Sequence, residues 1–192
     1  MSGIPNLGEG FIRSHELLEE LFKDINLAYQ MLENDKQSQY LRRCVVRANF
    51  SFIEAMIEVI KVELRSTIRT VKYELKLTEK DKEVLGSTFI FNSKQDKFLS
   101  LEINIKKTFK LATKIWEIKK FQLVTDTQDF QDFLAAKSAR NKLTHPKSYY
   151  DIEVTDIDMH YYTTALFWLK TEFSRLFKAR IDSLESNIVA QN

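Results

Sequence analysis

The sequence predicts an all-α fold, an up-and-down bundle of four to five main helices, and three observations predict it. Glycine and proline, the residues that most often interrupt helices, occur only 4 and 2 times in 192 residues. Apolar residues recur at three- and four-residue steps over long windows, the period of a helix face and not of a strand. The chain also carries 44% hydrophobic and 29% charged residues, the balance of a globular protein able to bury a substantial core.

No internal repeat, low-complexity tract or Pro/Gly-rich linker divides the chain, so residues 1–192 read as one domain with a loose lead-in over 1–10. The first helix is expected over about 11–34, with Leu17, Leu18, Leu21, Ile25, Ala28, Met31 and Leu32 inward. A second carries Leu41, Val45, Ala48, Phe52, Ala55, Val59 and Val62 on one stripe and continues, with a bend, to about residue 75. Thr78-Glu79-Lys80-Asp81 resembles a capping box and opens a short helix to about residue 85, ended by Gly86. Residues 87–100 have no helical period and read as a connecting loop, in which Phe89-Ile90-Phe91 could be briefly extended. A long helix then turns Leu101, Ile105, Phe109, Ala112 and Trp116 inward. Asp126 or Thr127 caps the next, with Phe130, Phe133 and Leu134 on its apolar side, and Pro146 disfavours helical geometry at His145. Thr155-Asp156-Ile157-Asp158 is a second imperfect capping box, and the last helix runs to about residue 184. Its apolar face (Ile157, Tyr161, Ala165, Trp168, Leu169, Phe173, Leu176, Phe177) is wide enough for burial by the core and by a second subunit.

The net charge of +2 does not by itself imply nucleic-acid binding, although a local basic groove is compatible with it. Lys106, Lys110 and Lys114, with Lys107 beside them, read first as a solvated face and only second as a phosphate track. The single cysteine, Cys44, excludes an intramolecular disulfide framework, and no Cys/His ligand set points to a metal. The aromatic stripes read as core or dimer surface, so no cofactor is expected. The opening MSGIPNLGEG lacks the basic and apolar regions of a secretory signal, and FSFIEAMIEVI is broken by Glu54 and Glu58. The expectation is a soluble cytoplasmic protein with no membrane partner.

One stretch, SARNKLTHPKSYYD at 138–151, carries most of the chemistry. On an ideal helix Asn141 and His145 stand about 40° apart and Arg140 and His145 roughly 140° apart. Pro146 loosens the helix at His145, so the three side chains could converge at one helix end. Arginine's planar fork holds phosphate oxygens and stabilises charge at phosphorus. An imidazole moves protons near neutrality, to or from a ribose 2′-hydroxyl or a leaving 5′-oxygen. The plainer reading is a helix terminus, with Arg140 in a surface ion pair and His145 near the last carbonyls. Glu54 could hold Arg140 or line the cleft; otherwise it pairs with Lys61 or Arg47 along its own helix. Arg43 and Arg47, one turn apart, are candidates for RNA contact. His15 and His160 read as structural or exposed.

The spacing R-N-x-x-x-H (Arg140, Asn141, His145) late in an all-α chain resembles the signature of the HEPN superfamily. Residues 42–60, RRCVVRANFSFIEAMIEVI, are similar to that family's earlier helix, with Glu54 at its recurrent acidic position. The resemblance implies a metal-independent endoribonuclease, a homodimer whose two motifs meet in one composite cleft. It also implies a place in a toxin–antitoxin, abortive-infection or antiphage system with a partner protein. In one subgroup a tyrosine stands two residues beyond the histidine; here that position is Lys147. Other members are non-catalytic binding or dimerisation modules, which is the alternative reading.

Overall fold

The computed structural model describes residues 7–70, 76–86 and 99–189. It is an all-α helical bundle, with no strand among the described residues. The main helices are α1 (Leu7–Asn34), α2 (Gln39–Thr70), α4 (Leu101–Ile115), α5 (Gln128–Thr144) and α6 (Asp156–Val189). A short α3 (Glu79–Leu85) and one 3-10 turn (Tyr149–Ile152) complete the order. Leu7–Gly10, expected as lead-in, are already helical, and α6 runs five residues past its expected end at 184. The expected bend to residue 75 and the extended piece at 89–91 lie outside the described residues.

The helix ends follow local chemistry. Thr78 and Asp81 form the reciprocal capping box: the Asp81 N–H donates to the Thr78 hydroxyl (3.2 Å) and the Thr78 N–H to the Asp81 carboxylate (2.9 Å). Thr155 and Asp158 do the same at the start of α6, at 3.2 and 2.9 Å. Gly86 closes α3 with φ 91° and ψ 176°, a region essentially reserved for glycine. An added Cβ there would meet nothing within 4 Å, so its cost would be purely one of backbone conformation. Gly86→Ala is therefore expected to destabilise by about 1–2 kcal/mol, read as a lower urea midpoint at unchanged m.

The described residues cluster into two compact units. The first comprises His15–Ala55 and Val124–Glu172. Buried in it are Ile25 of α1, Val46, Phe50 and Ile53 of α2, Phe133 and Ala136 of α5, and Tyr162, Ala165 and Leu169 of α6, while Ala28 and Leu32 of α1 pack with Val45 of α2 in a cluster of their own. The Asn49 amide of this unit is fully buried; its Nδ2 donates to the Tyr29 hydroxyl (3.3 Å), which lies 2.8 Å from the Thr163 hydroxyl. The second unit comprises the described parts of Met1–Ser14, Met56–Leu123 and Phe173–Asn192. There Met56, Ile60 and Leu64 of α2 are buried, as are Leu85 of α3, Ile105 and Phe109 of α4, and Leu176 of α6. The Trp116 indole N–H donates to the Thr67 hydroxyl (3.1 Å), while the Arg180 guanidinium lies over its ring at 4.3 Å and pairs with Glu63 at 3.1 Å.

Several inward assignments shift. Leu17, Met31 and Ile157, expected to face the core, are exposed, whereas Tyr162 and Leu166 are buried. On α6 the buried stripe is Tyr162, Ala165, Leu169, Glu172 and Leu176, a clean alternation of three- and four-residue steps. α2 is buried on far more of its circumference than the expected stripe. Arg42, Val46, Asn49, Ile53, Met56 and Ile60 form a second inward row beside it. The single cysteine, Cys44, is half-buried.

Candidate functional site

α5 is anchored by its first half. Its buried residues are Phe130, Asp132, Phe133 and Ala136, and none of residues 137–144 is buried. The Phe133 ring packs against Phe130 and Trp168 at centroid separations of 5.7 and 5.0 Å. Trp168 in turn donates its indole N–H to the Val124 carbonyl (3.1 Å), and the Val124 N–H donates to the buried Glu172 carboxylate (3.2 Å). The helix thus delivers its C-terminal turn to the surface from a fixed base, and the Arg-Asn-His motif occupies that turn.

Arg140 is half-buried. Its Nη2 donates to the Glu54 carboxylate at 2.9 Å, and its guanidinium carbon lies 5.7 Å from the centre of the Phe50 ring. Glu54 and Phe50 are one turn apart on α2, so a single face of α2 grips the guanidinium from two directions. Glu54 pairs with Arg140 and not with Lys61 or Arg47, the partners its own helix offered. His145 is the residue that ends α5. Its N–H donates to the Asn141 carbonyl (3.0 Å), and its φ −129° and ψ 61° leave the helical region, as Pro146 requires. The side chains of Asn141 and His145 are exposed and make no hydrogen bond to another described residue. An anchored guanidinium, an accessible amide and an accessible imidazole therefore share one helix end.

The segment after the motif is tied to the start of α2. Gln39 makes a two-way clamp on Val154, accepting its N–H (2.8 Å) and donating to its carbonyl (3.1 Å). The nearly buried Arg42 donates to the carbonyls of Val154 and Lys36, both at 3.0 Å, and pairs with Asp156 at 2.6 Å. Arg43 donates to the Ile152 carbonyl (3.0 Å), which gives this candidate RNA contact a tethering partner instead. Arg47 is exposed and lines a separate groove of about 360 Å³ between α1 and α2. The Asp151 carboxylate accepts the N–H groups of Lys147 (2.8 Å) and Ser148 (2.9 Å). The Lys147 N–H is the largest influence holding its pKa below the ordinary carboxylate value. Tyr149 and Tyr150 are both strongly exposed on this segment.

His160, on α6, lies 3.6 Å from the buried Asp132 carboxylate, and His15 lies 3.4 Å from Glu19; neither belongs to the motif. Among the described residues no group of three or more His, Cys, Asp or Glu side chains is arranged to hold a metal ion. No described helix is long and apolar enough to cross a membrane. No family model, curated protein or solved structure matches the chain.

Proposed function

We propose that the chain is a metal-independent endoribonuclease of a toxin or antiphage-defence system, acting as a homodimer and restrained by a partner protein such as an antitoxin. The observation that carries this reading is the Arg140 guanidinium, held by Glu54 and Phe50 on the same helix end that exposes Asn141 and His145. Glu54 engages one nitrogen of the guanidinium fork, and the side chain stays about one third exposed (35%), so donors remain for phosphate oxygens. In the proposed reaction the ribose 2′-oxygen bonds to phosphorus as the P–O5′ bond breaks. His145 of one copy takes the 2′-hydroxyl proton, and the imidazole of a second copy protonates the departing 5′-oxygen. Arg140 stabilises the charge that accumulates on the phosphoryl oxygens. Asn141 orients the imidazole or hydrogen-bonds the sugar-phosphate.

Exposed aromatic side chains are compatible with the dimer. Phe22 and Phe167 are both exposed, and the Lys170 ammonium lies over both rings, at 4.4 and 6.0 Å. The Arg140–Glu54 pair also favours a second reading, a non-catalytic binding or dimerisation module in which that pair is purely structural. RNA incubated with the protein in excess EDTA separates the two. Cleavage leaving 2′,3′-cyclic phosphate and 5′-hydroxyl ends is expected from the wild type. Intact RNA, or cleavage that continues undiminished in His145→Ala, overturns the proposal.

A further inference from the structure

We infer that the groove between α3 and α4 is a track for the sugar-phosphate backbone of single-stranded RNA, an inference that rests on the ribonuclease reading. The groove encloses about 510 Å³ and is lined by Thr78, Lys80, Asp81 and Val84 on the α3 side. Lys107, Lys110, Leu111, Thr113 and Lys114 line the α4 side. Its lining carries four lysines against one carboxylate, in a chain whose total charge is only +2.

That one carboxylate is already committed. Asp81 caps α3 through Thr78 and accepts a 2.6 Å bond from the Lys114 ammonium. Partial burial opposes its ionisation most strongly, but Lys114 and the Thr78 donors together outweigh burial and hold its pKa below the ordinary value. It stays ionised and occupied, and no other carboxylate of the described lining offsets Lys80, Lys107 and Lys110. None of these three ammonium groups makes an ion pair or hydrogen bond with another described residue. Lys106, by contrast, pairs with Glu102 at 2.8 Å and leaves the row.

The arrangement fits an extended polyanion. Lys107, Lys110 and Lys114 follow one helical stripe over about 10 Å of axis, the rise of roughly three stacked nucleotides at about 3.4 Å each. Val84 and Leu111 are buried in the lining and give the lysine stems an apolar floor, while the ammonium groups of Lys80, Lys110 and Lys114 belong to exposed residues. Thr78 and Thr113 add hydroxyls at the edge of the groove.

The test is binding of a 5′-labelled single-stranded RNA by the full chain carrying His145→Ala, followed by fluorescence anisotropy across a salt series. Neutralising Lys80, Lys107 and Lys110 together (each Lys→Gln) is expected to weaken binding about 10–100-fold at about 0.1 M salt. The slope of log affinity against log salt should flatten by about 2, near 0.7 for each lysine–phosphate pair removed. If the triple variant does not fold, each single Lys→Gln should flatten the slope by about 0.7. Unchanged affinity and slope, or no RNA binding by the His145→Ala chain, overturns the groove. So does displacement of the RNA by polyglutamate of matched charge as readily as by unlabelled RNA, which would make the occupant an acidic polypeptide. Failure of the ribonuclease reading looks different: the lysine variants weaken RNA binding as expected, yet the chain with His145 intact never cuts RNA. Cleavage by the intact chain with lysine-independent binding removes the groove and leaves the nuclease.

Discussion

Phe133→Ala is expected to destabilise the protein by about 3–5 kcal/mol, the range for truncating a fully enclosed aromatic ring. Phe133 has no accessible surface, and its ring forms a triad with Phe130 and Trp168, which also touch each other at 5.0 Å. The surroundings have little freedom to collapse into the vacated space. Trp168 is pinned by its hydrogen bond to the Val124 carbonyl, and Val124 is pinned in turn by Glu172. Moving the indole inward would break a part-buried hydrogen bond in exchange for packing, so a cavity remains and adds to the lost transfer energy. The neighbouring Leu134 is only half-buried, and Leu134→Ala should cost clearly less. Urea unfolding followed by circular dichroism measures both. A Phe133→Ala loss below about 1 kcal/mol would mean that α5 is not anchored through this ring. The site depends on that anchor, because the motif turn of α5 has no buried residue of its own.

The elements were legible in the sequence where a local chemical signal marked them. Thr78 with Asp81, Thr155 with Asp158, Gly86 and Pro146 each act within a few residues, and each stands at the helix end it predicted. Which stripe turned inward was less legible. α2 is apolar around so much of its circumference that rows through Val45 and through Val46 both satisfy helical periodicity. The neighbouring helices, and not the period, select how much of each is covered. Ile157 fails for a related reason: it stands in the first turn of α6, where the inward row of that helix has not yet begun. At the candidate site, the helix end at His145 followed from Pro146. The partner of Glu54 did not, because cations seven residues away on its own helix and one 86 residues away were equally compatible with the sequence. The Gln39, Arg42 and Arg43 clamp left no trace at all. Apart from the Asp156 carboxylate that Arg42 reaches, its acceptors are the backbone carbonyls of Ile152, Val154 and Lys36, which any residue supplies.

The Arg140–Glu54 pair is also what makes the catalytic proposal separable from stability. Both partners are substantially exposed, at 35% and 49%, so the ion pair contributes only about 0–1 kcal/mol to folding. Arg140→Ala should therefore unfold at nearly the wild-type urea concentration while cleaving RNA about 10²–10³-fold more slowly, the usual loss when a donor to transition-state charge is removed. His145→Ala should lose about 10²–10⁴-fold, the range for a general acid or base. Arg140→Lys should recover little, since a single ammonium cannot reproduce the planar fork that faces Glu54 and a phosphate together. Glu54 then discriminates between orientation and chemistry. Glu54→Gln keeps an oxygen for Nη2 but removes the charge that offsets the guanidinium. If Glu54 only positions Arg140, this variant should cut RNA within about tenfold of the wild type, with KM lowered as phosphate meets less competition. A Glu54→Gln loss as deep as that of His145→Ala would instead make Glu54 a proton carrier. Undiminished cleavage in Arg140→Ala would remove the guanidinium from the reaction and leave its contact with α2 as packing alone.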